Sequence, residues 1–459
     1  MLTLLAGGMT PCAVLLSSAP SPLASSFRDA MILAPLTRGG NLPFRRWCAE
    51  YGMTVSVGEM VFARALLKGD RIEKTRLNRA ANERFFGVQI ATNDVDEGRR
   101  AVAMAAEAGA DWVDLNCGCP IYEATRRGLG SALLRRPERL AALVEGIARD
   151  SPLPLSVKVR LAPEGHETNV REVARLLREA GAAAVTIHGR TAQDRYTRAA
   201  DWQMIKQVVD DGRAAGSAIP IVGNGDVLTH WEATRRIEAS GVDAVMVGRG
   251  ALIKPWLFGE YARREAWEPT AAERVAAYRQ LVAFMKEHFG DDARGRAKAW
   301  KFLPWHFDFL TRYRHCPADV PTDHSLLQTR LEVLSAEDHP PLDRVLACRS
   351  PAVHEQIAAA LWDADADADA VLALEALAAS GALDHQPHDA ATPIDGDGAD
   401  DELTNVPSER AERQRAGKGR GRREPPPQRT PEEIAELRAQ RAAKRLLTGA
   451  PPHVNAARR

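Results

Sequence analysis

From residue 31 to about 250, apolar and polar positions follow a repeating unit. A short, β-rich apolar run ends in small, polar or charged residues. A helical pattern follows, and then the next run begins. Eight runs are counted: MILAPL (31–36), VSVGEM (55–60), RFFGVQI (84–90), WVDLNCG (112–118), LSVKVRL (155–161), AAVTIHG (183–189), IPIVGNGD (219–226) and AVMVGRG (244–250). Two intervening helical patterns, RRAVAMAAEAGA and REVARLLREAGA, end at the Ala-Gly-Ala stop that closes a helix, and Pro137 opens another at its first turn. Near-continuous apolar strands alternating with helices imply a parallel sheet buried on both faces. Eight such units predict an α/β fold, a (β/α)8 TIM barrel, with an open doubly wound sheet as the alternative.

The polar residues favour the barrel. Thr37, Glu59, Gln89, Asn116, Cys119, Lys158, Arg160, His188, Arg190, Asn224, Asp226 and Arg249 all stand at the C-terminal ends of the runs. In a barrel those ends converge on one face, where active sites are built. An open sheet would spread them along an edge.

Beyond the barrel the β-rich runs stop. Residues 29–262 are read as the barrel and 263–362 as a smaller helical domain, which includes ERVAAYRQLVAFMKEHFG and RAKAWKFLPWHFDFLTRYRH. Residues 363–459 turn acidic, as in DADADADA, and then basic and rich in Gly and Pro, which predicts a low-complexity tail. Within it a short helix is expected near 431–447, with Thr430 as N-cap and Pro431 in the first turn. Residues 1–28 are apolar and Ser-rich without a basic n-region, so a disordered leader is expected, with organellar targeting as the alternative.

Composition narrows the class. The chain has 459 residues and a formal net charge of +0, so overall charge argues neither for nor against an anionic partner. Six scattered cysteines are not a secreted disulfide framework and suit a reducing, cytoplasmic setting. No apolar run reaches the roughly 18–20 residues of a transmembrane helix.

Candidate chemistry follows from the strand ends. Gly223-Asn-Gly-Asp226 and Gly248-Arg-Gly250 follow the last two strands, where barrels often bind phosphate through closely approaching backbone N–H groups. The alternative is a pair of ordinary glycine turns. Lys158 in VKVR needs a negative partner, because an unpaired buried ammonium is costly; a reduced flavin would supply one, and a lysine snorkelling to the rim would avoid the need. Gln89 suits a ring amide edge or a structural role, and His188 a ligand contact or a satisfied core position. The two cysteines of DLNCGCP offer at most two metal ligands, with no His or Cys pair at a spacing that completes a site. A disulfide between positions only two apart would close a very tight ring. Core packing is left for Cys117, while Cys119, between Gly118 and Pro120 just past the strand end, can face a pocket.

Residues 31 to 360 resemble the tRNA-dihydrouridine synthases. APLT, NLPFRRWC, GVQI, DLNCGCPI, VKVR, HGRTAQDRYTRAADW, GNGD and GRGALIKPWLF stand in that family's order and spacing. IHGRTAQDRYTRAADW and DHPPLDRVLACRSPAV look most like its tRNA-dihydrouridine(47) synthase subgroup. The resemblance implies FMN in the barrel, NADPH or NADH as reductant, a helical tRNA-binding domain, and reduction of the uracil C5=C6 bond. It implies that Pro35, Leu36 and Thr37 line the flavin, that Gln89, Lys158 and His188 contact it, and that Asn224, Gly225, Asp226, Gly248 and Arg249 hold its ribityl-phosphate end. Cys119 matches the proton donor, and Asn116, Arg126, Arg127 and Arg190 would face the substrate. No metal and no stable protein partner are implied, and a monomer is expected. One departure stands out: the family's glycine-rich loop reads here Arg126-Arg-Gly-Leu-Gly130, with Leu129 at a usual glycine. Two other classes would fit parts of the pattern, a small-molecule FMN reductase of the dihydroorotate dehydrogenase type and a catalytically silent tRNA-binding protein.

Overall fold

The eight apolar runs form eight parallel strands that close on themselves. In the computed structural model these are β1 (Ala30–Leu33), β2 (Val55–Val57), β3 (Phe85–Ala91), β4 (Trp112–Cys117), β5 (Leu155–Arg160), β6 (Ala184–His188), β7 (Ile221–Asn224) and β8 (Ala244–Val247). Each pairs with the next, and β8 returns to β1 with Ala30 opposite Ala244 and Leu33 opposite Val247. A two-residue strand, Val61–Phe62, adds to the end of β3. The structure describes residues 22–194, 196, 198–316, 326–328, 334–335 and 338–383, all within one compact unit, Met1–Thr404. Residues 384–459, and with them the helix expected near 431–447, lie outside the described residues.

The strand parity sorts the side chains into two layers. Val113, Leu115 and Cys117 of β4 join the apolar cluster between strands and helices, as do Val157, Val159, Val185 and Ile187. The alternate positions, Asp114 and Asn116, Ser156 and Lys158, and Thr186 and His188, therefore face the barrel interior. Lower in the barrel the interior is apolar, with Val55, Val57, Ala184, Val222, Ala244 and Met246 in one cluster.

Leu23 and Phe27 belong to that same cluster, and the Phe27 ring meets Trp112 edge-on with centroids 5.5 Å apart. They come from a helix, Pro22–Phe27, that closes the N-terminal end of the barrel. Residues 22–27 of the expected disordered leader are therefore helical, and a six-residue helix is too short to show a period. Residues 1–21 lie outside the described residues.

The helical region opens with Ala271–Phe289, where Thr270 and Glu273 form a reciprocal capping box. It docks on helix Leu42–Glu50, with Tyr278 edge-on to Trp47. Leu303–Leu310, Pro341–Leu346 and Pro351–Asp363 follow. One more helix, Asp367–Ala379, lies beyond the expected boundary at 362. Its acidic repeat supplies the first turn, where carboxylates favour the helix dipole, and Ala370 and Leu374 are buried behind it. Composition alone hid this helix, because its apolar positions are mostly alanine.

Candidate functional site

A cavity opens at the C-terminal ends of the strands. Pro35, Leu36, Thr37, Gln89, Asn116, Cys119, Lys158, His188, Asn224, Gly225, Asp226, Gly248 and Arg249 all line it. Thirteen of the sequence-predicted site residues are thus brought together around one space.

A chain of hydrogen bonds fixes one wall. Ser156 Oγ donates to Asp114 Oδ1 at 2.6 Å, and Gln89 Nε2 donates to Asp114 Oδ2 at 2.7 Å. Asn116 Nδ2 donates to Gln89 Oε1 at 2.8 Å, and Asn116 Oδ1 accepts the backbone N–H of Cys119 at 3.0 Å. A buried carboxylate thereby dictates which way both amides point, and through them the turn that carries Cys119. Burial pushes the Asp114 carboxyl up, while the bonds from Gln89 and Ser156 and the charge of Lys158 oppose that rise.

Cys119 is held from behind as well. Ser131 N–H donates to its carbonyl at 2.9 Å. Gly130, at φ +61°, packs so closely that a Cβ there would overlap the same carbonyl oxygen. Leu129, the departure from the glycine-rich loop, is extended at φ −106°, which any residue adopts, so the loop forms with leucine in place. Cys117 is fully buried in the outer layer, where burial pushes its thiol well above the usual range.

The opposite wall is basic. Lys158 Nζ donates to Asn224 Oδ1 at 2.9 Å, and Asn224 Nδ2 donates to Met246 O. Desolvation, aided by Arg160, lowers the Lys158 ammonium to about 8, against the pull of Asp114 and Cys119. His188 is pushed well below its ordinary value, first by burial and then by Arg160, Lys158, Arg190 and Arg249, so it is neutral at pH 7. Four cations converge on this end of the cavity. Asp226 answers two of them, accepting from Arg249 Nη2 at 3.0 Å and from Arg190 Nη2 at 2.8 and 2.7 Å. A carboxylate so engaged would meet an anionic ligand through the guanidiniums it orients. At Gly225, φ is +131°, and a Cβ would come within 2.5 Å of the Ala200 Cβ, so only glycine fits this turn.

Three expectations need restating. Arg190, expected at the substrate, is 1% exposed and committed to Asp226, to the Arg198 carbonyl at 2.6 Å and to His188 Nε2 at 3.3 Å; it braces the site instead of facing the cavity. Arg126 and Arg127 stand outside the cavity, both paired with Glu123. In the helical region, too, basic and aromatic side chains take part in packing. His306 stacks on Phe44 with centroids 5.0 Å apart and is pushed down to about 3 by burial, and Arg312 pairs with Asp308 at 3.0 Å.

The sequence reading missed the rest of the lining. Met60, Tyr196, Leu252, Trp305, Phe309 and Leu327 are among the further residues of the wall. Tyr196 lies under the Arg249 guanidinium, 4.1 Å from the ring centroid. Trp305 and Phe309 come from the helical region, one turn apart on Leu303–Leu310, with centroids 5.0 Å apart. Their i, i+4 spacing was legible, but not which face meets the barrel. Arg38 ties that helix region to the barrel: its Nε donates to Lys301 O at 2.8 Å and its N–H to Glu59 Oε1 at 2.7 Å. Among the described residues, no group of three or more His, Cys, Asp or Glu could hold a metal ion, and no helix is long and apolar enough to cross a membrane.

Several curated proteins are similar to this chain. A tRNA-dihydrouridine(47) synthase [NAD(P)(+)] of Coprinopsis cinerea is 40% identical over 291 residues, which cover 61% of this chain and 43% of that one. A tRNA-dihydrouridine(47) synthase [NAD(P)(+)]-like protein of Homo sapiens is 38% identical over 287 residues, 62% of this chain and 43% of that one. One from Oryza sativa subsp. japonica is 37% identical over 289 residues, 62% and 42% respectively. The chain spans less than half the length of these curated relatives. Among solved structures, a histamine dehydrogenase from Rhizobium sp. 4-9 superposes with a TM-score of 0.41 at 15% identity, over 55% of this chain and 48% of that one. The family model described as dihydrouridine synthase (Dus) matches residues 32–317, from the first barrel strand into the helical region, and this chain belongs to the dihydrouridine synthase family.

Proposed function

We propose that this chain reduces the C5=C6 bond of uridines in tRNA to dihydrouridine, with FMN in the barrel mouth and NADPH or NADH as reductant. The observation that carries the reading is a cavity with a thiol, Cys119, on one wall and a basic, glycine-lined end on the other. The names of the curated relatives support the reaction and the nucleotide reductant.

The residues present suit FMN. Arg249, oriented by Asp226, and the tight turns at Gly225 and Gly248 would receive the phosphate end. Lys158 and Gln89 would contact the ring, and Pro35, Leu36 and Met246 offer an apolar surface to its face. When bound, FMN supplies hydride to C6 of the uracil. Cys119 then holds the proton that C5 requires, positioned by Asn116 from within the barrel and by Gly130 and Ser131 from behind. Asn116, the immediate neighbour of that turn, would face the target base. Trp305 and Phe309 would help exclude water from above. A uridine must leave its stack to enter a cavity of this kind.

The test is compositional and chemical. The purified protein should release FMN on denaturation, and Cys119→Ala should keep the FMN yet form no dihydrouridine in tRNA. A protein that holds no FMN overturns the reading, and full turnover by Cys119→Ala removes the proton-donor role.

A further inference from the structure

Among the described residues, Tyr122 is the most exposed large hydrophobic side chain, at 79%. It begins the short helix Tyr122–Thr125, directly after Cys119, Pro120 and Ile121, all three of which line the cavity. The helix already buries what it needs to. Ala124 is fully buried against Met60, Ala91 and Leu129, with Ile121 and Cys119 packed on the same cluster. Tyr122 therefore points away from the fold's own packing, at the rim of the cavity. Scattered exposed apolar residues are ordinary, but this one has company.

One guanidinium flanks it, and the next residue along carries a second. Arg126 lies 5.9 Å from the ring centroid of Tyr122, and Arg127 lies over Phe62 at 5.0 Å. Glu123 pairs with both, so two cations share one carboxylate and the cluster keeps a net positive charge. The Arg127 carbonyl accepts from Asn93 Nδ2 at 3.1 Å, which anchors the loop to the barrel. An aromatic face beside fixed guanidiniums is the arrangement that takes a nucleobase on the ring and a phosphate on the forks.

We propose that Tyr122 is the stacking platform for the RNA nucleotide next to the one in the cavity, with Arg126 and Arg127 on its phosphates; this rests on the reading of the cavity as a uridine site. Extruding a base breaks its stack with its neighbour. Tyr122 replaces the lost face, one residue from the cavity wall.

Tyr122→Ala and Tyr122→Phe test it, since the position is too exposed to threaten folding. The dissociation constant for uridine-containing tRNA is measured at fixed salt, alongside KM and kcat for dihydrouridine formation. Tyr122→Ala should weaken binding about ten-fold and raise KM similarly, with kcat lowered less than about two-fold. Tyr122→Phe should stay within about two-fold of the parent in all three. Unchanged tRNA binding by Tyr122→Ala overturns the proposal and leaves the ring to a protein contact. An equal loss in Tyr122→Phe also overturns it, because the hydroxyl and not the ring would then matter. If the parent binds tRNA but makes no dihydrouridine, the reaction assignment fails, and the comparison of dissociation constants still decides Tyr122.

Discussion

Lys158 shows what burial does to one residue in this site. Its ammonium is lowered to about 8 from the ordinary 10.5, chiefly by desolvation. Between those two values the folded lysine has lost its proton while the unfolded one keeps it, so this group's contribution makes stability rise with pH across that window. Binding of an anionic ligand has the opposite slope, because it needs the proton. FMN affinity, followed by quenching of flavin fluorescence, should fall about ten-fold from pH 7 to pH 9 and lose that dependence in Lys158→Met. His188 is pushed well below its ordinary value, chiefly by burial, so its contribution to stability is lost as pH falls through the ordinary histidine range. Much of this scale was legible: a lysine, an asparagine and a thiol at strand ends mark themselves. The bonds from Asp114 through Gln89 to Asn116 were not, because they depend on register, which sets Gln89 opposite Asp114. Arg190 was misread for the same reason, its partner Asp226 lying 36 residues away.

At the scale of elements, the loop after β4 sets the position of the thiol. Gly128 and Gly130 carry positive φ, and Leu129 between them is extended. Gly130→Ala combines a strained φ with overlap on the Cys119 carbonyl. It should lower thermal stability by about 1–3 kcal/mol and remove most dihydrouridine formation. Leu129→Gly should keep activity near that of the parent while losing some apolar burial. If the two effects were reversed, the loop would not position Cys119 as described. The sequence alone raised the leucine as a departure but could not say which residue of the loop takes the unusual backbone conformation. Strand positions were clearer, since every apolar run became a barrel strand. Short helices such as Pro22–Phe27 and alanine-rich ones such as Asp367–Ala379 carried too little hydrophobic contrast to be read.

The whole molecule joins a barrel mouth to a helical region through a few specific contacts. Arg38 reaches Lys301, and Trp305 and Phe309 form part of the cavity wall. Neither piece encloses the site alone, which ties the chemistry of the barrel to the region expected to meet RNA. Parallel strands and a converging polar face were readable from periodicity. The docking of the helical region was not, because side chains from two distant segments meet there. On the proposed function, this combined site passes electrons from a reduced flavin to a uridine in tRNA. The direct measurement is to reduce the FMN-bound protein with NADPH without oxygen, add uridine-containing tRNA, and follow flavin absorbance together with dihydrouridine. Reoxidation of the flavin should be matched by dihydrouridine formed in the tRNA. A flavin that stays reduced with tRNA but is oxidised by orotate would contradict it.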